Sequence, residues 1–402
     1  VWYANYKWIA NVNYIIDAEP EMAGTEADVA YVAGQAYAIR ALCYLNLATW
    51  FSRAPYNSLT GASRWNEPCV PVYTTGTSID TGGQPRESLR TVYGRIDQDI
   101  DRAIELLEKA RETTLAENNK SHINLYVALG IKSRACLAEG DWDGAFKAAK
   151  RVIDEGGYAV GTKSDLTGGM NSLDKQNVMW GAGIQVADQA GGYAGFFTHM
   201  DNKEGAYAKS APKLISKQLY NRISATDIRR DWWDPSDKES PYVSKKFSFA
   251  NVASFLGDYI YMRVEEMYFT AAEAALRLDD LKSARELMNT VMAERDPGYS
   301  ANNRSGTLLG ATTTTWTGSF LENILTHRRI ELWGEYGRLF DVRRLGQGID
   351  RRTDDGFSEE CISMMNRRNV NITKADTYDW VLTIPKAELD ANPNINEEDQ
   401  NP

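Results

Sequence analysis

The chain has 402 residues, 43% of them hydrophobic, and carries a formal net charge of −10 with a pI near 5.1. That length supports a large core and one to three domains. An acidic chain without a block of like charge lacks the basic face of a nucleic-acid binder, and no run approaches the ~18 apolar residues of a membrane span.

Residues 1–17 place Trp2, Tyr6, Ile9 and Ile16 at helical spacing, with Trp8, Val12 and Ile15 alongside. Residues 25–51 predict an alanine-rich helix, VAGQAYAIRALCYLNLATWF, whose small side chains permit close helix contacts. Residues 53–85 read as loop, punctuated by Pro55, Pro68, Pro71, Pro85 and the pair Gly82 and Gly83. A helix over 88–111 carries Val92, Ile96, Ile100, Ile104 and Leu107. A helical hairpin over 122–139 and 142–153 is hinged at EGDW. From 156 to about 211 the pattern is irregular and glycine-rich, with one strand-like run, NVMWGAGIQV. A helical signal returns over 212–223, and a second helical hairpin over 259–278 and 282–294 is hinged at DDL. A Gly/Ser/Thr loop over 296–318 leads to a final helix, LTHRRIELWGEYGRLFDVRRLG, over 325–346. Residues 347–378 read as irregular, and Pro385 starts a terminal turn.

The two hairpins align as a weak internal repeat, RACLAEGDWDGAFKAAKRVI from Arg134 over EAALRLDDLKSARELMNTVM from Glu273. Ala135 meets Ala274, Leu137 meets Leu276, Asp141 meets Asp280 and Val152 meets Val291. Small residues at helix contacts and an acid at the turn suit stacked helix pairs, and the spacing resembles tetratricopeptide repeats. One domain follows, with a helical scaffold over about 1–51, 88–155, 259–295 and 319–346 and loop-rich parts over about 52–87, 156–258, 296–318 and 347–402. Four cysteines, Cys43, Cys69, Cys136 and Cys361, are scattered without a C-x-x-C, which argues against a zinc ribbon. Cys43 and Cys136 fall in apolar helical stretches and read as buried.

In the final helix, Arg328–Glu331, Glu335–Arg338, Arg338–Asp341 and Asp341–Arg344 stand at three-residue steps, where side chains meet. Ile330, Leu332, Trp333, Tyr336, Leu339 and Phe340 cover much of the circumference, so the helix is expected to be buried and its charges paired. Arg328, Arg329, Glu331, Glu335, Arg338, Asp341 and Arg344 are therefore read as a structural brace; ligand contact and catalysis are weaker readings. Three histidines, His122, His199 and His327, form no H-E-x-x-H, there is no G-x-S-x-G, and GTKSDLTGG lacks the G-K-[ST] of a P-loop. Glu265 with Glu266, or Glu331 with Glu335, could make the acid pair of a glycosidase. Arginine pairing is the plainer account of both.

The stretch HRRIELWGEYGRLFDVRRLG resembles the C-terminal helix of the SusD/RagB-like proteins of Bacteroidetes. YVAGQAYAIRALCYLNLATWFSRAPY is similar to that family's early alanine-rich helix with its Pro turn. YMRVEEMYFTAAEAALRL followed by ARELMNTVMAER is similar to its late hairpin, and WVLTIPKAELDANPNINEEDQNP to its tail. These stretches run in the family's order from Trp2 to the last residue; His327 departs from the acid usual before the arginine pair.

The resemblance implies a mainly α fold, with tetratricopeptide-like helical hairpins as a scaffold and an irregular loop-rich part that carries the ligand. It implies a lipid-anchored protein of the outer-membrane surface that binds oligosaccharide, or peptide in the RagB branch, without catalysis or cofactor. The cargo would pass to a SusC-like TonB-dependent transporter. The chain opens at Val1 inside a helical pattern, so the signal peptide and lipid-modified cysteine are expected upstream. A helical-barrel glycoside hydrolase is the alternative from another class.

Nothing in the resemblance fixes binding residues, so candidates come from loop aromatics, which no core claims and which suit flat sugar faces. They are Trp232 and Trp233 in DIRRDWWDP, Tyr193 and Phe197 in GGYAGFFTHM (with Phe196 and His199), Trp65 beside Asn66 in SRWNEP, and Trp316 in TTWTG. For each, a ring pinned on the scaffold is the competing reading. Trp142, Trp180 and Trp333 are assigned to the core. Whether a cation assists is left open by the sequence.

Overall fold

A computed structural model describes residues 1–115, 119–186, 194–302, 304–350 and 377–402. Tyr193, Cys361 and most of the irregular stretch 347–378 lie outside the described residues. The fold is mainly helical and divides into two compact units: Val1–Ala148, Leu339–Gly348 and Lys374–Pro402 in the first, Ala149–Arg338 and Ile349–Thr373 in the second.

In the first unit, helix α2 (Glu26–Phe51) packs against α1 (Trp2–Ala18), α3 (Leu89–Lys109) and α4 (Leu125–Glu139). Thr25 starts α2 by accepting the Asp28 amide, Ser88 does the same for α3 through Thr91, and Asn124 for α4 through Tyr126 and Val127. The alanines act as the sequence predicts: Ala33, Ala38 and Ala41 are fully buried. At Gly34 a Cβ would stand 2.9 Å from Leu107 Cγ, so glycine sets how closely α2 and α3 approach. Beside them Arg40 reaches Asp99 through two bonds of 2.7 Å, a buried and hydrogen-bonded charge. Cys43, Cys69 and Cys136 are buried free thiols.

The internal repeat is visible in the turns. Gly140, between α4 and α5 (Trp142–Glu155), has φ +78°, and the aligned Asp279 has φ +65°. One position on, Asp141 accepts the Gly144 amide at 3.0 Å and the aligned Asp280 accepts the Ser283 amide at 3.0 Å. A left-handed residue followed by an aspartate cap ends one helix and starts the next in both hairpins.

The second unit holds short helices α6 (Lys163–Thr167), α7 (Phe196–Met200), α8 (Ala206–Ser210) and α9 (Lys217–Tyr220), then the hairpin α10 (Val264–Arg277) and α11 (Leu281–Ala293), with α12 (Phe320–Glu331) packed on α10. Strand β1 (Val178–Ala182) pairs antiparallel with a strand at 259–263, and the short β2 (Trp233–Asp234) with β3 (Val243–Ser244). Two of its apolar clusters, among the described residues, bear on the site. One gathers Leu166, Ile215, Leu219, Ile223, Trp232 and Trp233; the other Met170, Phe197, Phe247 and Phe249; Trp333 packs against both.

Two sequence expectations change here. Residues 259–263 were expected to open a helix and instead form β4 (Tyr259–Arg263), with Val178 opposite Arg263 and Ala182 opposite Tyr259. Pairing with β1 overrides helical propensity, and α10 starts only where the pairing stops. The charged stretch 325–346 is not one helix. It breaks after Glu331 and resumes as α13 (Arg338–Arg344), because Gly334 and Gly337 take φ +76° and +117°, left-handed values outside any α-helix.

Candidate functional site

The broken helix exposes its end to a buried charge network in the second unit. Glu331, at 0% exposure, accepts from Arg229 at 3.1 Å, Arg263 at 3.0 Å and Arg295 at 2.9 Å. Glu335 accepts from Arg263 at 2.8 Å and from Lys246 at 2.5 Å, and Lys246 also donates to the Glu331 and Trp333 carbonyls. Glu265 joins through Arg295 at 2.8 Å, and Asp227 through Arg229 at 2.7 Å. Lys246 and the three arginines thus face Asp227, Glu265, Glu331 and Glu335 in equal number.

The electrostatics follow from that balance. Burial works to raise Glu331, but Arg295, Arg263 and Arg229 overcome it and hold the carboxyl well below its ordinary range. Glu335 is lowered too, against burial, by Arg263 and Lys246. Burial pulls Lys246 down to about 8 despite Glu335. Burial, with Arg229 beside it, pulls His327 well below its ordinary value, so this imidazole is neutral and its Nδ1 stands 2.9 Å from Arg229 Nη2.

The remaining charges of the stretch sit differently. Arg328 donates to the Glu266 carbonyl at 3.3 Å and to Thr270 at 3.0 Å. Arg329 is half-buried and donates to the Thr313 carbonyl at 3.4 Å. Arg338 is half-buried at the start of α13, where Asp341 and Arg344 lie 2.8 Å apart. The carboxylates considered as a glycosidase pair are engaged by arginine: Glu265, Glu331 and Glu335 as above, and Glu266, 3.6 Å from Arg328. Among the described residues no group of three or more His, Cys, Asp or Glu is placed to hold a metal ion.

The loop aromatics need correction. Trp232, Trp233 and Phe197 were expected to present a face to a ligand; each is 2% exposed. Trp232 ends a 3-10 turn and Trp233 begins β2, and this change of backbone directs both indoles into one cluster instead of opposite ways. Trp232 Nε1 donates to the Leu166 carbonyl at 2.7 Å, and Trp233 stands edge-on to Trp333 at 5.9 Å. Phe197 packs between Phe249 and Tyr259. Trp316 is half-buried, with the Arg222 guanidinium 4.2 Å from its ring centre. Trp65 is half-buried with its ring edge-on to Tyr93 at 5.7 Å, and Asn66 is exposed.

The rings that do reach the surface of the second unit form a belt. Phe255, 45% exposed, contacts Phe249 at 5.8 Å; Phe249 contacts Phe197, and Phe197 contacts Tyr259. Further along β4, at the residue that a shift in the pairing with β1 leaves without an opposite partner, Tyr261 is 41% exposed and stands edge-on to the half-buried Trp180 at 5.0 Å. Burial pushes the Tyr261 phenol up, so it stays a neutral donor. Nearby in sequence to Phe197, the exposed His199 stacks on Tyr207 at 4.6 Å and 10°. A planar face with a hydroxyl handle is what a sugar ring or a peptide side chain can pack on. Sequence reasoning missed Tyr261 and Phe255 and placed Trp180 in the core; the alternation YIYM was the signal, and the helical reading of 259–278 concealed it.

The relationships of the chain agree with this architecture. A model of the SusD family matches residues 201–402, and a model described as starch-binding and associating with the outer membrane matches residues 1–137. A SusD-like carbohydrate binding protein from Bacteroides vulgatus is 26% identical over 99% of this chain and 83% of its own, with a TM-score of 0.78. A SusD superfamily protein from Bacteroides thetaiotaomicron is 22% identical over 100% of this chain and 85% of its own, also with a TM-score of 0.78. Surface glycan-binding protein A from Bacteroides uniformis is 18% identical, covers 100% of this chain and 84% of its own, and has a TM-score of 0.67. No curated protein matches the chain. With its second half matched by the family model and its whole length by SusD-like structures, the chain belongs to the SusD family.

Proposed function

We propose that this chain binds oligosaccharide at the outer-membrane surface, does not cleave it, and delivers it to a SusC-like TonB-dependent transporter, held to the membrane by a lipid anchor upstream of Val1. The observation that carries the binding reading is the Trp180–Tyr261 pair, in which Tyr261 is 41% exposed. Phe255, Trp65, Trp316 and Tyr193 are further ring candidates. Support for a glycan cargo comes from the family and from the relatives named for carbohydrate. Support for binding without hydrolysis comes from the arginine pairing of Glu265, Glu266, Glu331 and Glu335.

Calorimetry against neutral oligosaccharides, malto-oligosaccharides included, tests the reading, with reducing ends measured after long incubation. Shallow ring contacts predict a Kd of roughly micromolar to millimolar, about −8 to −4 kcal/mol, with no new reducing ends. New reducing ends would establish the hydrolase alternative. Binding of peptides and of no glycan would establish the RagB-like one. Co-purification of the tagged protein with a barrel transporter tests the delivery step.

A further inference from the structure

In the second unit an open cleft of about 650 Å³ lies between two stretches that meet in a turn. One wall is α6 with its cap, carrying Thr162 and Asp165; the other is the loop that leads into β1, carrying Asn171, Ser172, Asp174 and Gln176. Gly169 and Met170 make the turn at φ +92° and +50°. A Cβ on Gly169 would lie 2.2 Å from Ser248 Oγ, and Met170 sinks into the cluster of Phe197 and Phe249. Lys175 spans the walls, with its ammonium 3.4 Å from Asp165.

Both walls are fastened from behind. The Gly161 amide donates to Glu265 at 2.8 Å, its carbonyl takes Arg295 Nη1 at 2.6 Å, and the Leu166 carbonyl takes the Trp232 indole at 2.7 Å. The buried brace therefore holds the first wall. In the second, Asn171 Nδ2 donates to the Ser248 carbonyl at 2.9 Å and the Leu173 amide to Asp258 at 2.9 Å. Asp258 also takes the Ile184 amide at 3.1 Å, just beyond β1, and directly precedes β4. A Cβ at Gly181 would lie 2.4 Å from Leu173 Cδ2, so this wall rests on the strand that carries Trp180. Gln176 and Trp180 are four residues apart, at most ~14 Å along the chain.

We propose that this cleft is a polar subsite of the glycan-binding surface, taking the hydroxyls of the rings that follow, along one uncharged sugar chain, the ring stacked on Tyr261. The subsite rests on the proposed oligosaccharide function and adds to it the length and charge of the ligand. Sugar hydroxyls both donate and accept, and the cleft offers groups of both kinds. Asn171 uses one N–H on Ser248 and keeps a second N–H and its oxygen; the Ser172 hydroxyl accepts the Asp174 amide at 3.2 Å and keeps its own proton to donate. Asp174 and Gln176 are exposed, and among the described residues their side chains have no hydrogen-bond or ion partner. The volume falls within the ~300–1,000 Å³ of small-molecule sites. None of the described residues that line it is aromatic, so it complements the Trp180–Tyr261 pair by hydrogen bonding and does not repeat its stacking. Two carboxylates face one lysine, which Asp165 already engages, so an uncharged chain suits the cleft and a uronate chain does not.

The experiment is calorimetry of the full chain with paired probes: maltose and maltohexaose, xylobiose and xylohexaose, mannobiose and mannohexaose, and hexagalacturonate. In at least one neutral pair the hexasaccharide is expected to bind about tenfold tighter than the disaccharide. Asp174→Ala combined with Gln176→Ala removes two exposed side chains and leaves the core intact; it lowers hexasaccharide affinity about tenfold and leaves disaccharide affinity unchanged. Lys282→Ala, exposed on α11 and outside the cleft, changes neither. Hexagalacturonate binds more weakly than the neutral hexasaccharide, and Asp174→Asn narrows the gap. Hexasaccharide binding that falls with Tyr261→Ala and is untouched by the double variant would overturn the subsite and leave the proposed function standing. Equal affinity of the wild type for disaccharide and hexasaccharide in every pair would overturn it as well. Loss in the double variant with none in Tyr261→Ala would keep the cleft as a glycan site and overturn the reading of Tyr261. A wild type that binds no sugar of any pair would overturn both.

Discussion

Two regions of the second unit look alike in sequence, dense in charge and aromatic rings: the turn at 332–337 with DIRRDWWDP beside it, and the belt that ends at Phe255 and Tyr261. Their structures differ. Around the turn, Glu331 meets three arginines and Trp232 and Trp233 are enclosed. Along the belt, the rings start in the core at Phe197 and finish 45% and 41% exposed. Residue type therefore does not separate bracing from binding; exposure does. A buried ion without a partner costs several kcal/mol, so buried charge is committed to the fold. A ring left partly in water retains a face for a ligand.

The largest effect expected is from Glu331→Ala. It leaves Arg229, Arg263 and Arg295 facing one another in the interior, and unfolding in urea should show a loss of about 3–5 kcal/mol. Glycan affinity of the folded fraction should stay at wild type. Arg329→Ala, half-buried on the same helix, should cost under about 1 kcal/mol. Equal losses from the two would mean that the brace runs along the helix and is not centred on Glu331. Trp233→Ala comes next, at about 3 kcal/mol for a large ring removed from a closed cluster, again with affinity per folded molecule preserved. If it abolished binding and left the urea midpoint in place, Trp233 would belong with the belt.

Acid separates the regions by a smaller step. Glu331 and Glu335 titrate below their ordinary range in the fold, so near pH 4 the unfolded chain binds more protons than the folded one. Their contribution is complete above the unfolded carboxylate value, roughly pH 4.3, and is lost as pH falls through the folded values. The urea midpoint of the wild type should fall across that window, and less steeply in Glu335→Gln. An unaltered slope in that variant would remove Glu335 from the network.

Much of the scaffold was legible because its signals are local. The Thr25 cap, the alanine row of α2 and the aspartate that follows each hairpin turn all lie within a few residues of what they control. The brace was legible in kind but not in partners. Three-residue spacing pointed from Glu331 to Arg328, whereas the arginines on Glu331 come from 36, 68 and 102 residues away, where helical spacing gives no information. Gly334 and Gly337 were visible in the sequence and could have broken the predicted helix. The rings were the least legible. Loop position suggested exposure for Trp232 and Trp233, yet the burial of a ring depends on what the rest of the chain places over it.

The finest test of the comparison is Tyr261→Ala. Tyr261 is 41% exposed on a two-stranded sheet, and its ring meets Trp180 edge-on, so little core depends on it. Its removal should change the stability measured by urea unfolding by less than about 0.5 kcal/mol, as for exposed positions generally. If its exposed ring stacks on a sugar, the same change should lower affinity by about 1–2 kcal/mol, or roughly five- to thirtyfold. Tyr261→Phe should keep most of that affinity, because stacking uses the ring, and a loss as large as that of alanine would assign the contact to the hydroxyl. Phe255→Ala should act in the same direction with a smaller amplitude, since Phe255 already leans on Phe249 at 5.8 Å and has less free face. Stability lost without affinity in Tyr261→Ala would place this ring with Trp233, and the distinction between the two regions would fail at the residue where it is drawn most sharply.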